Sequence, residues 1–531
     1  MKSIHSVWLF GALIAVAACS QGGSEGVARQ ETALTGQDLL GVSDPGGDFV
    51  NPAGLHRNIS LLGTIDTTNP FFQELGTNGR ACVTCHAPID GFGLSAASAR
   101  ARFYATCRSG RSKQGEPTCG TDPLFAFDGL NTPFEDVSTD AARAKASSLL
   151  INKGLIRIEL PVPDSDKRDY DILSVDDPYG YATKEHLVFY RRPLPATNLK
   201  FFDAFGPAHT NAAAIMWDGR ESYTTCVSTV TPVPGAACGD GLPPCASGLT
   251  CQVGFCRVTP QCSNPPTPLR VFDLLKNQAN NATLRHAQAE APGLTDEQQN
   301  AIVEFERNLF TAQVNGKGTG DLTDGANGGP DYLSTVTFYN GINRATPIGD
   351  IVDGHFRDTF TIFDGWANID EPHRAAVARG QDLFNHRVGV NPRLGVSVIS
   401  GRKFTCGFCH AAPEAGTDSA GTWGNAVTDT IGALTSGVGT PDLPRYRVQS
   451  RRTGQIVTTT DLGRAAITGW FTDLNKLKTP SLRGLAARAP YFHNGSAATL
   501  VDVINAYEDA GFQYHFTEAE KADLVAFLES L

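Results

Sequence analysis

The chain is 531 residues long, too many for one compact core, so more than one domain is the default. Its 41% apolar and 19% charged residues are those of a globular protein. A net charge of −11 excludes nucleic acid as a partner, because phosphate binding needs a basic surface.

The N-terminus opens with Lys2 and an apolar run from Val7 to Ala18, too short for an ordinary membrane helix and typical of a targeting segment. It ends in Val16-Ala17-Ala18-Cys19, which resembles the lipobox of bacterial lipoproteins. Residues 1–18 are then a lipoprotein signal peptide, and an acylated Cys19 anchors an exported, periplasmic or cell-surface chain to the membrane. The alternative is a plain signal peptide with an incidental Cys19. Residues 19–50 form a tether, flexible where Gly, Ser and Gln dominate. Export permits disulfides, and the 13 cysteines partition without remainder. Beyond Cys19, four lie in two CxxCH motifs, and Cys107 and Cys119 are a close pair within one loop. Cys226, Cys238, Cys245, Cys251, Cys256 and Cys262 cluster together, with their pairing open.

The motifs Cys82-Val83-Thr84-Cys85-His86 and Cys406-Gly407-Phe408-Cys409-His410 carry the chemistry. In CxxCH, two thiols form thioethers to the porphyrin vinyl groups and the adjacent His is held beneath the iron as its proximal ligand. Composition alone predicts roughly 0.007 such motifs per chain, so two are not chance. The alternatives are a zinc site or a redox dithiol. Neither motif has a second CxxC nearby, and no βαβ start precedes either one. Cys82, Cys85, Cys406 and Cys409 are therefore the expected attachment points of two covalent haem c groups, with His86 and His410 on the iron.

Between and after the motifs the chain shows a weak repeat. Thr295 to Leu309 aligns without gaps to Thr517 to Leu531; each opens on a capping box and continues with apolar residues at helical spacing. The architecture expected is mainly α: two cytochrome c-like helical haem domains, over 51–345 and 370–531. The first is enlarged by insertions, including a small disulfide-rich surface module at 224–265 that has too few apolar residues to bury a core. The Gly- and Asp-rich stretch from Asn315 to Pro330 lacks EF-hand spacing and reads as a solvated loop. His373 to Phe384 is the opening helix of the second domain. Methionine is a common sixth ligand of cytochromes c, yet only Met1 and Met216 exist and none follows His410. Leu500, Val503, Ile504 and Tyr507 share one helical face.

Met216-Trp217-Asp218-Gly219-Arg220, Lys478-Thr479-Pro480-Ser481-Leu482-Arg483 and Ala489-Pro490-Tyr491-Phe492-His493-Asn494-Gly495, in this order around two CxxCH motifs, resemble the bacterial di-haem cytochrome c peroxidase family, MauG-type members included. The resemblance covers most of the chain from about Pro70, omitting the Cys-rich insert. It implies a peroxidase-like oxidoreductase in which hydrogen peroxide or dioxygen reacts at the His86 haem, while the His410 haem exchanges electrons with a donor protein or oxidisable substrate. By the same resemblance Trp217 relays electrons between the haems, Tyr507 is a tyrosinate ligand opposite His410, and a Ca2+ ion can sit between the domains as in relatives. Trp217 and Tyr507 also fit plain core packing. Where the peroxidases have an acid/base Glu this chain has Gln288, which cannot transfer a proton as Glu does. His286 could, with Glu290 nearby, although a surface or capping role fits His286 equally. This departure leaves room for an oxidase or oxygenase, as in the rubber-cleaving relatives. Neither His186 nor His209 is well placed as a switchable ligand. The rival reading is a non-catalytic electron-transfer di-haem lipoprotein; a docking role for the Cys-rich insert is compatible with both.

Overall fold

Two helices of the repeat form as their spacing dictates. Asp296–Arg307 and Glu518–Glu529 each start from a threonine cap whose hydroxyl accepts the N3 amide, while the N3 side chain, Gln298 or Glu520, accepts the threonine amide in return. A computed structural model describes residues 36–107, 116–128, 136–203, 214–222, 249–252, 255–258, 271–338, 358–390, 403–416, 440–510 and 512–531. The signal segment, Cys19, His209, Cys226, Cys238, Cys245 and Cys262 lie outside the described residues.

The two repeat helices bury equivalent positions in separate cores. Ile302, Phe305 and Leu309 join Phe71, Phe92 and Val83 around the first CxxCH. Leu524, Phe527 and Leu531 join Phe360, Phe363 and Phe384 near the second. Phe71, Phe92 and Phe305 meet at ring-centroid distances of 5.0–5.9 Å and tilted or edge angles, which aromatic quadrupoles favour. The opening helix of the second half runs Pro372–His386 and crosses Glu518–Glu529 closely. At the crossing a Cβ on Gly380 would lie 2.0 Å from the Asp523 carbonyl oxygen. Gly380→Ala therefore forces the helices apart. We expect a loss of about 1–3 kcal/mol by overpacking, read in chemical denaturation, despite the gain of up to about 1 kcal/mol in helix propensity.

The helices share the fold with sheets that local periodicity did not disclose. Asp48–Asn51, Gly54–Ser60, Leu309–Gly316 and Gly320–Asp321 form one antiparallel sheet, entered directly from the end of the Asp296–Arg307 helix. Tyr170–Asp176 pairs with Arg445–Ser450, which pairs in turn with Ile456–Thr459, so one sheet joins segments from both halves of the sequence. Ile156–Pro161 pairs with His186–Arg191. In His186–Arg191 all positions after the first are buried, so no alternation marks it as a strand. The mainly α expectation thus holds for the haem-motif segments and understates the strands between them.

Cys107 and Cys119 form a disulfide. Of the Cys-rich insert only a hairpin is described, Leu249–Gln252 with Phe255–Val258, in which Cys251 faces Cys256. In the Asn315 to Pro330 segment, Asp321 accepts the backbone and hydroxyl of Thr323, and Asp324 pairs with Arg374 at 2.8 Å. Among the described residues no group of three or more His, Cys, Asp or Glu is arranged to hold a metal ion.

Candidate functional site

The first CxxCH begins as a one-turn helix, Cys82–Cys85, held at both ends by buried groups. The Ala81 amide donates to Thr84 Oγ1 at 3.0 Å, and the Thr84 carbonyl accepts Arg102 Nη1 at 2.7 Å. Arg102 is itself fixed by a bidentate pair with Asp122 at 2.9 and 2.6 Å. His86 Nδ1 lies 3.3 Å from the Phe92 carbonyl; a proton on Nδ1 donated to that carbonyl makes Nε2 the lone-pair nitrogen. Burial lowers the His86 pKa, outweighing the Phe92 and Leu194 carbonyls, so the ring is held neutral and fit to ligate. Cys82 and Cys85 are unbonded thiols, and burial raises both, Cys82 to about 12.

Cys82, Cys85 and His86 open onto a cavity of about 570 Å³, within the span of cofactor sites. Its wall also includes Trp217, His286 and Gln288. The helix Val271–His286 ends on His286, and the turn after it, which carries Gln288, is pinned to the segment just before the motif. Asn78 Nδ2 and Arg80 Nη1 donate to the His286 carbonyl at 2.9 and 2.7 Å, the Thr77 amide to Ala287, and Thr77 Oγ1 to Gln288 at 3.0 Å. Gly76 makes this approach possible, since a Cβ there would stand 1.8 Å from the Ala287 carbonyl oxygen. His286 lines the cavity and is half-buried. Burial brings its pKa to about 4, helped by repulsion from Arg80, Arg220 and His86, so it is a neutral imidazole at physiological pH. Gln288 is exposed at the cavity rim, its backbone in the left-handed region at φ 55°. Glu290 is exposed outside the cavity lining, and His186 bonds Glu159 at 3.2 Å.

Trp217 is clamped at both ends. Its Nε1 donates to the Arg192 carbonyl at 2.7 Å, its own carbonyl accepts the Lys478 amide at 2.7 Å, and its ring stands edge-on 6.1 Å from His493. Behind it, Asp218 is fully buried between Arg191 at 2.5 Å and Arg220 at 3.0 Å, and Arg191 also grips Asp461 at 2.6 Å. Burial opposes ionisation of Asp218, but the two guanidiniums outweigh it and hold the carboxyl at about 2. The Trp-Asp-Gly-Arg segment is thus a charged clamp that orients the indole. Lys478 sits over the Phe202 ring at 3.3 Å, and burial lowers its pKa to about 7 against the pull of Glu414. The segment it begins reaches from the cavity wall, through Pro480 and Ser481, to the loop after His410. There Ser481 Oγ and the Leu482 amide donate to Glu414 and Arg483 donates to Pro413.

The second CxxCH repeats the local geometry. Cys406–Cys409 is a one-turn helix with unbonded thiols, and buried His410 directs Nδ1 to the Ala415 carbonyl. Burial takes His410 to about 4 against that bond. The helix Leu500–Asp509 brings Tyr507 to the buried Phe512–Tyr514 pair, on which Cys406, Phe408 and Cys409 also pack, with the Phe512 ring 5.5 Å from Tyr507 and Phe492 6.4 Å away. Tyr514, which the sequence reading passed over, is buried beside it and bonds the Cys406 thiol. Both motifs thus present two thiols and an anchored neutral imidazole, the donor set that haem c attachment requires.

Residues 477–510 match the family model described as RoxA-like, cytochrome c-like. Cytochrome-c peroxidase IdrP2 of Denitromonas iodatirespirans is 36% identical over 143 residues, covering 26% of this chain and 38% of that protein. Methylamine utilization protein MauG of Methylophilus methylotrophus is 36% identical over 83 residues, 13% of this chain and 25% of MauG. Over these segments the chain is similar to di-haem cytochrome c peroxidases and MauG. Cytochrome c551 peroxidase of Nitrosomonas europaea adds a match of 38% over 69 residues, 13% of this chain and 21% of that enzyme. The matched segments therefore span well under two thirds of these peroxidase and MauG relatives. Among solved structures, a MauG-like protein associated with microbial copper homeostasis aligns at 20% identity and a TM-score of 0.25, over 48% of this chain and 65% of that one.

Proposed function

We propose that the chain carries two haem c groups, one on Cys82, Cys85 and His86 and one on Cys406, Cys409 and His410. In this reading it is an oxidoreductase that reduces hydrogen peroxide or dioxygen at the first, taking electrons through the second from a donor protein or an oxidisable substrate. The observation that carries the reading is the cavity of about 570 Å³, whose wall joins Cys82, Cys85 and His86 to Trp217, His286 and Gln288. Haem supplies an iron that exchanges electrons and can take an oxidant at an open position. Every other part belongs to the chain. His286, neutral and facing the cavity, offers a lone pair that can accept a proton from the oxidant. Gln288 hydrogen-bonds without transferring a proton. Trp217 and the Lys478 to Arg483 segment supply a packed route toward the loop behind His410. Acylation at Cys19 would place this chemistry outside the cytoplasm, where an electron-donor protein can dock; the Cys-rich insert is a candidate docking module.

Electron paramagnetic resonance of the oxidised holoprotein tests the reading. It expects a high-spin signal from a haem with an open face beside a low-spin one, and consumption of hydrogen peroxide or dioxygen by the reduced protein. Two low-spin signals that persist on partial reduction, with neither oxidant consumed, would establish the electron-transfer alternative instead.

A further inference from the structure

Glu306 stands in the cavity wall and no role has been given to it. It lies in the last turn of the Asp296–Arg307 helix, is only 6% exposed, and lines the same cavity as Cys82, His286 and Gln288. Its Oε2 is buried without a hydrogen-bond partner. The gapless repeat puts Leu528 at the matching position of the second helix, where it packs in the core. An apolar residue therefore suits this helix position, and a carboxyl here costs stability unless something in the cavity meets it. Burial alone raises its pKa to about 8, so it holds its proton at neutral pH. The charged groups on the elements packed against it are engaged elsewhere: Lys276 pairs with Asp296, Lys200 with the Ser334 carbonyl, and Arg80 with Asp128.

We propose that Glu306 is the proton donor of the cavity, a neutral carboxylic acid that supplies from the helix side the function Gln288 cannot. The inference rests on the oxidant-reducing reading above. Reduction of hydrogen peroxide to two waters consumes two electrons and two protons. The electrons come from the donor protein, one proton leaves Glu306 Oε2, the second is taken up from the solvent as hydronium, and a further solvent proton restores the carboxylic acid.

Two measurements on the full holoprotein test this. The infrared spectrum should show a protonated carboxylic C=O stretch that shifts in heavy water and disappears in Glu306→Gln. That variant should reduce the oxidant roughly 100-fold or more slowly, the usual contribution of a positioned acid. Glu306→Leu, the residue the repeat uses, should raise the melting temperature while losing the same activity; a structural carboxyl would give a lower melting temperature. Absence of the infrared band, or an active wild type whose Glu306→Gln variant is equally fast, overturns the assignment alone. A wild type that consumes neither peroxide nor dioxygen overturns both it and the reading it rests on.

Discussion

Asp218→Ala should destabilise the fold by about 3–5 kcal/mol, because it leaves a buried arginine without its countercharge. Asp218 has no exposed surface and neutralises Arg191, which is 2% exposed and shared with Asp461, together with Arg220. Removing the carboxylate leaves two guanidiniums facing a single remaining acid. Arg464 keeps its bonds to the Asp218 and Gly219 backbone carbonyls but loses the nearby Asp218 charge. Replacing both Arg191 and Asp218 by apolar residues of similar volume should cost less than Asp218→Ala alone. Denaturant titration of the three variants measures the difference, and equal stability of Asp218→Ala and wild type would show that the network carries no energy. The same pair gives an acid limb. The Asp218 carboxyl sits at about 2 when folded, below its ordinary value of 3.8. Its contribution is therefore complete above about pH 4 and lost as pH falls through about 2. Asp218→Asn should flatten that limb.

Tyr507→Phe should change the absorbance and spin state of the haem expected on Cys406 and Cys409 while leaving the other untouched. Tyr507 and the Cys406–Cys409 turn pack on the same buried Phe512–Tyr514 pair, and no methionine follows that turn in the sequence. A phenolate ligand favours ferric iron and lowers the potential, so its loss should raise the potential of that haem in a redox titration. Tyr514→Phe is the necessary comparison, since Tyr514 is buried in the same aromatic group and bonds the Cys406 thiol. If only Tyr514→Phe moves the spectrum, the ligand is Tyr514. If neither does, both tyrosines are core residues and the sixth ligand comes from elsewhere.

Much of the candidate site was legible because its chemistry is written at short range. CxxCH places two thiols and an imidazole within five residues, and a one-turn helix is enough to aim them together. The capping boxes at Thr295 and Thr517 fixed the starts of two helices whose apolar stripes had already marked their buried faces. The resemblance of the Trp-Asp-Gly-Arg and Ala-Pro-Tyr segments pointed to Trp217 as a relay and Tyr507 as a ligand, with core packing as the alternative for each. Glu306 was missed for a physical reason. A glutamate on an amphipathic helix is exposed by default, and nothing within one helical turn shows that this one faces inward. Comparison with Leu528 was the one available signal.

The sequence by itself determined the two CxxCH motifs, the caps and apolar faces of the helices, and the absence of a methionine after His410. Those depend on covalent spacing and on a period of 3.6 residues, both local. Tertiary structure alone decided that Trp217, His286, Gln288 and Glu306 share one cavity with Cys82 and His86. It also decided that Arg191 meets Asp461 across 270 positions of chain. Such meetings are set by how sheets and helices from both halves pack, and burial, which local sequence does not specify, is what turns an ordinary glutamate or aspartate into a proton donor or a clamp.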